Sequence, residues 1–224
     1  MITVLYEDDH LIAVHKPVGL LVHRTRISED TVFALQLLRR QLGYRIYPAH
    51  RLDRATSGLL LFGKSKEAAA RLGELFRERR VHKQYEAVIR GYLEAEGEVD
   101  YPLKHERSGA PQESLTRYRR LAQVEHPFAV SRYPTSRYSR VLIEPLTGRR
   151  HQIRRHFAHL RHPIIGDRRH GDCKHNKFFR EELGITRMLL HAKSLRFIHP
   201  FYGEQTILEA PLDGAFLQAL TRLA

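Results

Sequence analysis

Cysteine is almost absent from this sequence, since Cys173 is the only one among 224 residues. A single thiol can form no internal disulfide and cannot provide a cysteine-pair zinc site. Long apolar runs are missing as well: no stretch of about 18 apolar residues occurs, which excludes a transmembrane helix. The acidic start at Glu7–Asp9 lacks the basic and apolar parts of a secretory signal. These absences predict a protein of the reducing cytoplasm.

Motifs for cofactors and metals are also missing. The sequence has no glycine-rich phosphate loop and no dinucleotide fingerprint, so a nucleotide cofactor is unsupported. Four histidines follow one another at spacings of five, three and three: His151, His156, His159 and His162. No glutamate completes an HExxH arrangement, and two histidines on one helix face do not make a metal site. We therefore predict neither a cofactor nor a bound metal.

Acidic residues are few relative to basic ones. Lysine and arginine number 38 against 25 aspartates and glutamates, which gives a net charge of +13. A polyanionic partner fits this excess, because binding releases the counterions that are condensed on phosphates. A basic solvated surface is the alternative. Membrane-surface binding would need a basic amphipathic helix, and the best candidate, residues 65–80, also has a core-facing side.

Hydrophobic patterning predicts an α+β domain around one mixed, largely antiparallel sheet with flanking helices. Strands are predicted at 11–14, 59–62, 85–89, 115–124, 139–144 and 187–198. Helices are predicted at 31–42, at 65–80 with Ser65 as its cap, at 150–160, and after Asp213. The polar stretch 104–114 is predicted as a surface loop within the domain, because nothing about it indicates a domain boundary.

The first polar cluster, residues 50–58, lies directly before the apolar strand predicted at 59–62. It places Asp53 between two arginines, Arg51 and Arg54. Nearby cations favour the ionised carboxylate that a nucleophile or a base requires. The cluster therefore suggests a catalytic aspartate, with an Arg–Asp ion pair that only closes a turn as the alternative.

The second cluster, residues 147–156, places four arginines on the first turns of a predicted helix: Arg149, Arg150, Arg154 and Arg155. Cations at a helix N-terminus are unfavourable for the helix dipole, and an anion would stabilise them. That anion could be phosphate or a buried carboxylate such as Asp53. A solvated basic face is the alternative explanation.

Both clusters, in this order, resemble the motifs of the RluA-type pseudouridine synthases. His50-Arg51-Leu52-Asp53 followed by Thr56-Ser57-Gly58-Leu59-Leu60 is similar to the catalytic motif of that family, which is highly specific. Further similar segments lie at 4–23, 83–88, 147–154 and 188–192, so the resemblance covers nearly the whole chain. It implies a pseudouridine synthase fold with a single catalytic domain over 1–224 and no separate N-terminal RNA-binding domain.

The resemblance also implies roles for individual residues. Catalytic roles would belong to Asp53, Tyr85 and Arg154, and substrate contacts to Arg51, Leu190, Arg149, His50 and Arg54. Arg51 would enter the RNA helix as the uridine is extruded, and Tyr85 would stack on the flipped base and handle the proton at C5. Arg154 would pair with Asp53, with Arg149 as the alternative for that role, and Leu190 would pack against the uracil ring. Periodicity by itself favours a structural role for Tyr85.

The implied activity is the isomerisation of uridine in RNA without a cofactor. Segments 132–138 and 159–172 resemble members that modify tRNA, which implies uridine 65 of the T-arm stem as the target. One alternative is ribosomal RNA as the substrate, and another is a noncatalytic RNA-binding module. A metal-dependent nuclease would require a carboxylate cluster that the sequence lacks. No protein partner or membrane is predicted.

Overall fold

The computed structural model of the protein describes residues 1–23 and 32–223. The described residues form twelve strands: β1 (Thr3–Glu7), β2 (Leu11–Lys16), β3 (Tyr47–Pro48), β4 (Ser57–Gly63), β5 (His82–Arg90), β6 (Glu96–Asp100), β7 (Leu103–Lys104), β8 (Pro111–Gln112), β9 (Leu115–His126), β10 (Ser136–Pro145), β11 (Leu190–Ile198) and β12 (Gln205–Glu209). They also form five helices: α1 (Ala34–Leu42), α2 (Lys66–Arg77), α3 (Gln152–His159), α4 (Cys173–Glu181) and α5 (Gly214–Leu223). The predicted α+β class is confirmed.

The chain divides into two compact units. The first contains Met1–Lys83 and His191–Pro211, and the second contains Gln84–Leu190 together with the residues from Leu212 onward. The boundary therefore falls inside β5 and at the first residue of β11. A single catalytic domain over the whole chain stays a prediction.

A sheet whose central strands β2 and β4 are buried forms the core of the first unit. Its strands lie in the order β1-β2-β4-β11, with β3 paired to β4 and β12 paired to β11. Strand β4 is buried along all seven residues. Helix α2 packs on β4 through the face that carries Ala68, Leu72 and Leu75, as its apolar spacing predicts. The predicted cap is confirmed: the Ser65 hydroxyl accepts the backbone N–H of Ala68 at 3.0 Å.

An antiparallel sheet in the order β5-β10-β9-β6 forms the second unit. Its apolar cluster joins Val88 and Tyr138 of the sheet to Phe179 of α4 and Phe216 of α5. Among the described pairs inside the two units, β4 with β11 is the parallel one and the others are antiparallel. The prediction of a mixed, largely antiparallel sheet structure is thus confirmed.

Several predicted boundaries were wrong. Helix α1 begins at Ala34, whereas the prediction began it at residue 31. Residue 31 lies outside the described ranges. Helix α2 ends at Arg77 instead of 80, because Arg79 takes a left-handed conformation (φ 59°) that stops a helix. Strand β11 begins at Leu190 instead of 187, after a bend at Arg187.

Seven of the described elements were not predicted from the sequence: the strands β1, β3, β6, β7, β8 and β12, and helix α4. The stretch 104–114, predicted as a loop, contains part of a short hairpin in which β7 pairs with β8. Helix α4 was missed, although Asp172 is a typical cap whose carboxylate accepts the backbone N–H groups of Lys174 and His175 at 2.9 and 3.2 Å. Asp213 caps α5 in the predicted way, accepting the N–H of Phe216 at 3.0 Å.

Across the described ranges, no helix combines the length and the apolar character that crossing a membrane requires.

Candidate active site

The loop that carries Asp53 connects β3 to β4 in the first unit. Asp53 is half-buried, whereas Arg51 and Arg54 are exposed. The backbone N–H of Thr56 donates to the carbonyl of Asp53 at 3.1 Å, which closes a turn immediately before the buried strand. The aspartate thus lies in a turn immediately before the buried strand β4, as its position in the sequence indicated.

A buried lysine ties this loop to the segment after β2. Lys16 is fully buried, and its Nζ donates to the carbonyls of Pro17 and Leu20 at 2.8 Å and of Arg54 at 3.3 Å. Gly19 adds two bonds: its N–H donates to the carbonyl of Arg54 at 2.8 Å, and its own carbonyl accepts Nε of Arg54 at 3.0 Å. A buried ammonium group requires such compensation. These contacts fix the backbone on the C-terminal side of Asp53.

The start of β4 is fixed against β11 by close backbone packing. Gly58 has φ 107°, and a Cβ there would lie 2.2 Å from the carbonyl oxygen of Ala192, so only glycine fits. The neighbouring Ser57 hydroxyl lies 2.8 Å from Nδ1 of His191. Nε2 of His191 lies 3.2 Å from the carbonyl of Ala210, which assigns the proton to Nε2 and makes Nδ1 the acceptor from Ser57. The threonine-serine-glycine part of the motif therefore has a structural explanation.

His50, at the start of the loop, is held as a neutral acceptor. Its Nε2 accepts the backbone N–H of Leu61 at 3.0 Å, and its ring stacks on Phe76 with 4.5 Å between centroids. Burial, and then the charge of Lys83, lowers the pKa of His50 to about 3. Burial and the charge of Arg79 lower the pKa of Lys83 to about 8. His50 thus anchors the loop to β4, and its predicted contact with the substrate stays a prediction.

This environment predicts a loss of stability in acid. The folded protein keeps His50 neutral down to about pH 3, whereas the unfolded chain takes up a proton near pH 6.5. The contribution is therefore complete above about pH 6.5 and is lost as the pH falls toward 3. In urea unfolding, the free energy of unfolding should drop between pH 7.5 and 5 by about 1–2 kcal/mol more in the wild type than in His50→Gln, whose amide oxygen accepts without titrating. An identical pH dependence of the two proteins would contradict this prediction.

The loop before α3 is closed around Gln152. The Gln152 side-chain oxygen accepts the hydroxyl of Thr147 at 2.6 Å and the backbone N–H of Arg149 at 2.9 Å. Its amide nitrogen donates to the carbonyl of Leu115 at 2.9 Å. Nε of Arg149 donates to the carbonyl of Glu113 at 3.0 Å. These bonds fix the N-terminus of α3 within the second unit, and they give Thr147, Arg149 and Gln152 a structural role besides any catalytic one.

Carboxylates accompany two of the four arginines of the second cluster: Arg150, which lies just before α3, and Arg154, which lies within it. Arg150 pairs with Glu106, and Arg154 forms a bidentate pair with Asp167. Nε of Arg154 donates to Oδ2 at 2.7 Å and Nη2 donates to Oδ1 at 2.8 Å. The predicted pairing of Arg154 with Asp53, or of Arg149 in its place, joins residues of different units and stays a prediction.

Two further predicted site residues, Tyr85 and Leu190, lie on strands and belong to the second unit. Tyr85 is half-buried on β5, where it is paired with Ile143 of β10. Leu190, the first residue of β11, is buried. Arg51 belongs to the first unit, and burial together with the charge of Arg51 lowers the pKa of His23. The stacking, packing and base-extruding roles that the resemblance implies for Tyr85, Leu190 and Arg51 stay predictions.

The four histidines that invited a metal interpretation have different neighbours. Nδ1 of His151 lies 3.1 Å from Nε2 of His170, and His156 lies 3.1 Å from the carbonyl of Tyr101. The ring of His159 stacks on Tyr101 with 3.7 Å between centroids. His162 lies 2.9 Å from the carbonyl of Arg90 through Nδ1. Each ring thus has a packing or hydrogen-bonding role in the second unit.

Two residues that hold predicted site residues were not predicted from the sequence: Lys16, which holds the loop of Asp53, and Asp167, which holds Arg154. Lys16 ends an apolar strand, and a lysine side chain at such a position is usually expected to be exposed. Asp167 follows Arg154 by thirteen residues, a separation without local meaning, and only the glycine before it indicated a tight turn.

Known proteins match this chain over nearly its whole length. The family model of RNA pseudouridylate synthase matches residues 10–159. The chain is 46% identical to "tRNA pseudouridine synthase C" of Vibrio parahaemolyticus, covering 98% of this chain and 94% of that protein. It is 47% identical to the protein of the same name from Salmonella typhimurium, covering 99% of this chain and 90% of that protein. The chain belongs to the RNA pseudouridylate synthase family.

Solved structures agree with that assignment. Human RNA Pseudouridylate Synthase Domain Containing 4 superimposes with a TM-score of 0.76 at 26% identity, over 99% of this chain and 92% of that one. Human RNA Pseudouridylate Synthase Domain Containing 1 gives a TM-score of 0.72, also at 26% identity, over 100% and 94%. The pseudouridine synthase fold that the resemblance implied is thus confirmed.

Proposed function

We propose that this chain is a tRNA pseudouridine synthase that isomerises uridine 65 in the T-arm stem. The observation that carries the proposal is a pair of relatives named tRNA pseudouridine synthase C at 46–47% identity over 98–99% of the chain. A second support is the half-buried Asp53, which lies directly before β4 on a loop that Lys16 holds in place. A tRNA substrate also implies a cytoplasmic location.

The reaction is balanced without any other reactant. The bond between C1′ of the ribose and N1 of uracil breaks, the base rotates, and a new bond forms between C1′ and C5. The proton leaves C5 and N1 gains one, so the product is an isomer of uridine. Asp53 would supply the carboxylate that acts on the sugar or the base, and Tyr85 would stack on the base and handle the C5 proton.

The other predicted residues would bind and extrude the nucleotide. Base flipping costs a few kcal/mol, which contacts in the pocket and stacking offset. Arg51 would occupy the space that the uridine leaves, and Leu190 would pack against the uracil ring. Arg54 and Arg149 would contact phosphates, which the net charge of +13 favours. Arg154 would hold the carboxylate of Asp53.

The proposal is tested with purified protein and unmodified tRNA transcripts. Pseudouridine is mapped in a wild-type transcript and in a transcript that carries cytidine at position 65, with a ribosomal RNA fragment as a third substrate. We expect modification of the first RNA alone. Modification of the ribosomal fragment but not of tRNA would contradict the substrate, and absence of pseudouridine in all three would contradict the activity.

We also expect activity to survive exhaustive EDTA treatment without added nucleotide. The proposed reaction transfers no electrons and imports no group, so the carboxylate and stacking residues are sufficient for it. The measurement is the single-turnover rate with tRNA folded in monovalent salt, before and after chelation. Recovery of a lost rate by zinc, or by magnesium beyond its effect on tRNA folding, would contradict this expectation.

A further inference from the structure

The side chain of Arg154 is fixed in the second unit by one carboxylate. Asp167 binds it through both oxygens, with Nε to Oδ2 at 2.7 Å and Nη2 to Oδ1 at 2.8 Å. The two side chains are 9% and 1% exposed. A bidentate contact of this kind defines the plane of a guanidinium as well as its position. It uses Nε and Nη2, so Nη1 lies outside the contact with Asp167.

Asp167 is itself held by the turn that carries it. Oδ1 accepts the backbone N–H groups of Arg169 and His170 at 2.9 and 3.0 Å. The Asn176 side chain of α4 accepts the N–H of Gly166 at 2.7 Å and donates to the carbonyl of Asp167 at 2.9 Å. Burial acts to raise the pKa of Asp167, but the hydrogen bond and charge of Arg154, with the two amides, bring it below its ordinary value. The carboxylate is therefore a fixed, charged acceptor.

A gain in folding stability does not explain the buried ion pair of Arg154 and Asp167 well. A buried ion pair costs desolvation, and apolar side chains of similar volume often stabilise a fold as well or better. An arginine that only filled space in α3 would not require a bidentate partner whose carboxylate is itself held by two backbone N–H groups. Orientation of the guanidinium is the property that this geometry provides.

We propose that Asp167 is a positioning residue for isomerisation, which holds the guanidinium of Arg154 in the plane that its catalytic role requires. The inference rests on the proposed function, in which Arg154 pairs with Asp53. Asp167 acts through Arg154 and touches neither the uridine nor the reacting atoms. A guanidinium rotated out of its plane would still be charged, but it would place Asp53 less accurately, and misplacement by about 1 Å can cost about 100-fold in rate.

The test is Asp167→Asn, which keeps an acceptor for the two amides but loses the charge and the second acceptor for Arg154. With saturating tRNA, the single-turnover rate should fall by about 10- to 100-fold. The dissociation constant for tRNA should stay within about 3-fold, because phosphate contacts elsewhere dominate affinity. The matched control is Asp172→Asn, the same chemical change in an acid that pairs with Arg90 and caps α4. Its rate should stay within about 2-fold of the wild type.

A double-mutant cycle separates positioning from a merely structural role. Arg154→Lys keeps the charge and removes the fork, so Asp167→Asn should cost little more in that background. If the rate losses of the two single variants multiply in the double variant, Asp167 acts independently of Arg154 and the inference is overturned. If Asp167→Asn fails to fold, Asp167→Glu serves instead: it keeps the charge, shifts the fork by one methylene, and should slow the rate while the free energy of unfolding stays near that of Asp172→Asn.

The same cycle distinguishes failure of the inference from failure of the proposed function. A wild-type rate for Asp167→Asn beside a slow Arg154→Lys would overturn the inference and leave the function standing. A wild-type rate for Arg154→Lys would overturn the role assigned to Arg154. A wild-type protein that makes no pseudouridine would overturn the proposed function itself.

Discussion

Asp53→Asn is expected to lower the single-turnover rate of isomerisation by at least about 1,000-fold, because the amide can act neither as a nucleophile nor as a base. The dissociation constant for tRNA should remain within about 3-fold, since phosphate contacts carry most of the affinity. Asparagine keeps the size of the side chain, and the turn at this position uses the backbone carbonyl of Asp53 with the N–H of Thr56. The rate is measured with tRNA at saturation and the affinity by filter binding.

Asp9→Asn provides the matched control for that experiment. Asp9 is an exposed acid of the same unit, after β1, so the same loss of one negative charge should leave rate and affinity unchanged. Turnover of the Asp53 variant at a measurable fraction of the wild-type rate would remove Asp53 from catalysis. A large loss of tRNA affinity would assign it to binding instead.

Local signals explain why the region around Asp53 could be predicted from the sequence. Four residues of the buried strand β4, Leu59 to Phe62, form a continuous apolar run between Gly58 and Gly63, and Ser65 directly before α2 is a typical helix cap. Patterns of this kind depend on neighbours in the chain, and the packing of the first unit agrees with them. The position of the aspartate at a turn before a buried strand followed from the same patterns.

Contacts between distant segments explain what could not be predicted. Lys16 reaches the carbonyl of Arg54 across 38 positions, and Ser57 reaches His191 across 134. The pairing of Arg154 with Asp167 in the second unit was not predicted, and its expected pairing with phosphate or Asp53 stays a prediction. Nothing in one sequence indicates which distant carboxylate meets which arginine, because the choice depends on how the strands and helices pack.

Arg51→Lys should slow isomerisation of a helical tRNA far more than that of a short single-stranded oligonucleotide. Arg51 is exposed and lies two residues before the half-buried Asp53, so its side chain is available to the RNA beside the site of chemistry. If it fills the gap left by the extruded uridine, its planar guanidinium must stack between the neighbouring bases. Stacking of this kind contributes about 1–3 kcal/mol, which corresponds to roughly 5- to 150-fold in rate.

The comparison of two substrates isolates the role of the guanidinium plane. Lysine keeps the charge, so attraction to phosphates changes little on either RNA, and an oligonucleotide without a helix has no stack to close. On the oligonucleotide, the single-turnover rate of Arg51→Lys should therefore stay within about 3-fold of the wild-type rate, although this RNA is a poor substrate overall. Arg45→Lys, the same change at another exposed arginine of the first unit, should leave both rates near those of the wild type. Equal proportional losses on the two RNAs would mean that Arg51 serves chemistry or general affinity, because only the extruding role requires a helix to be resealed.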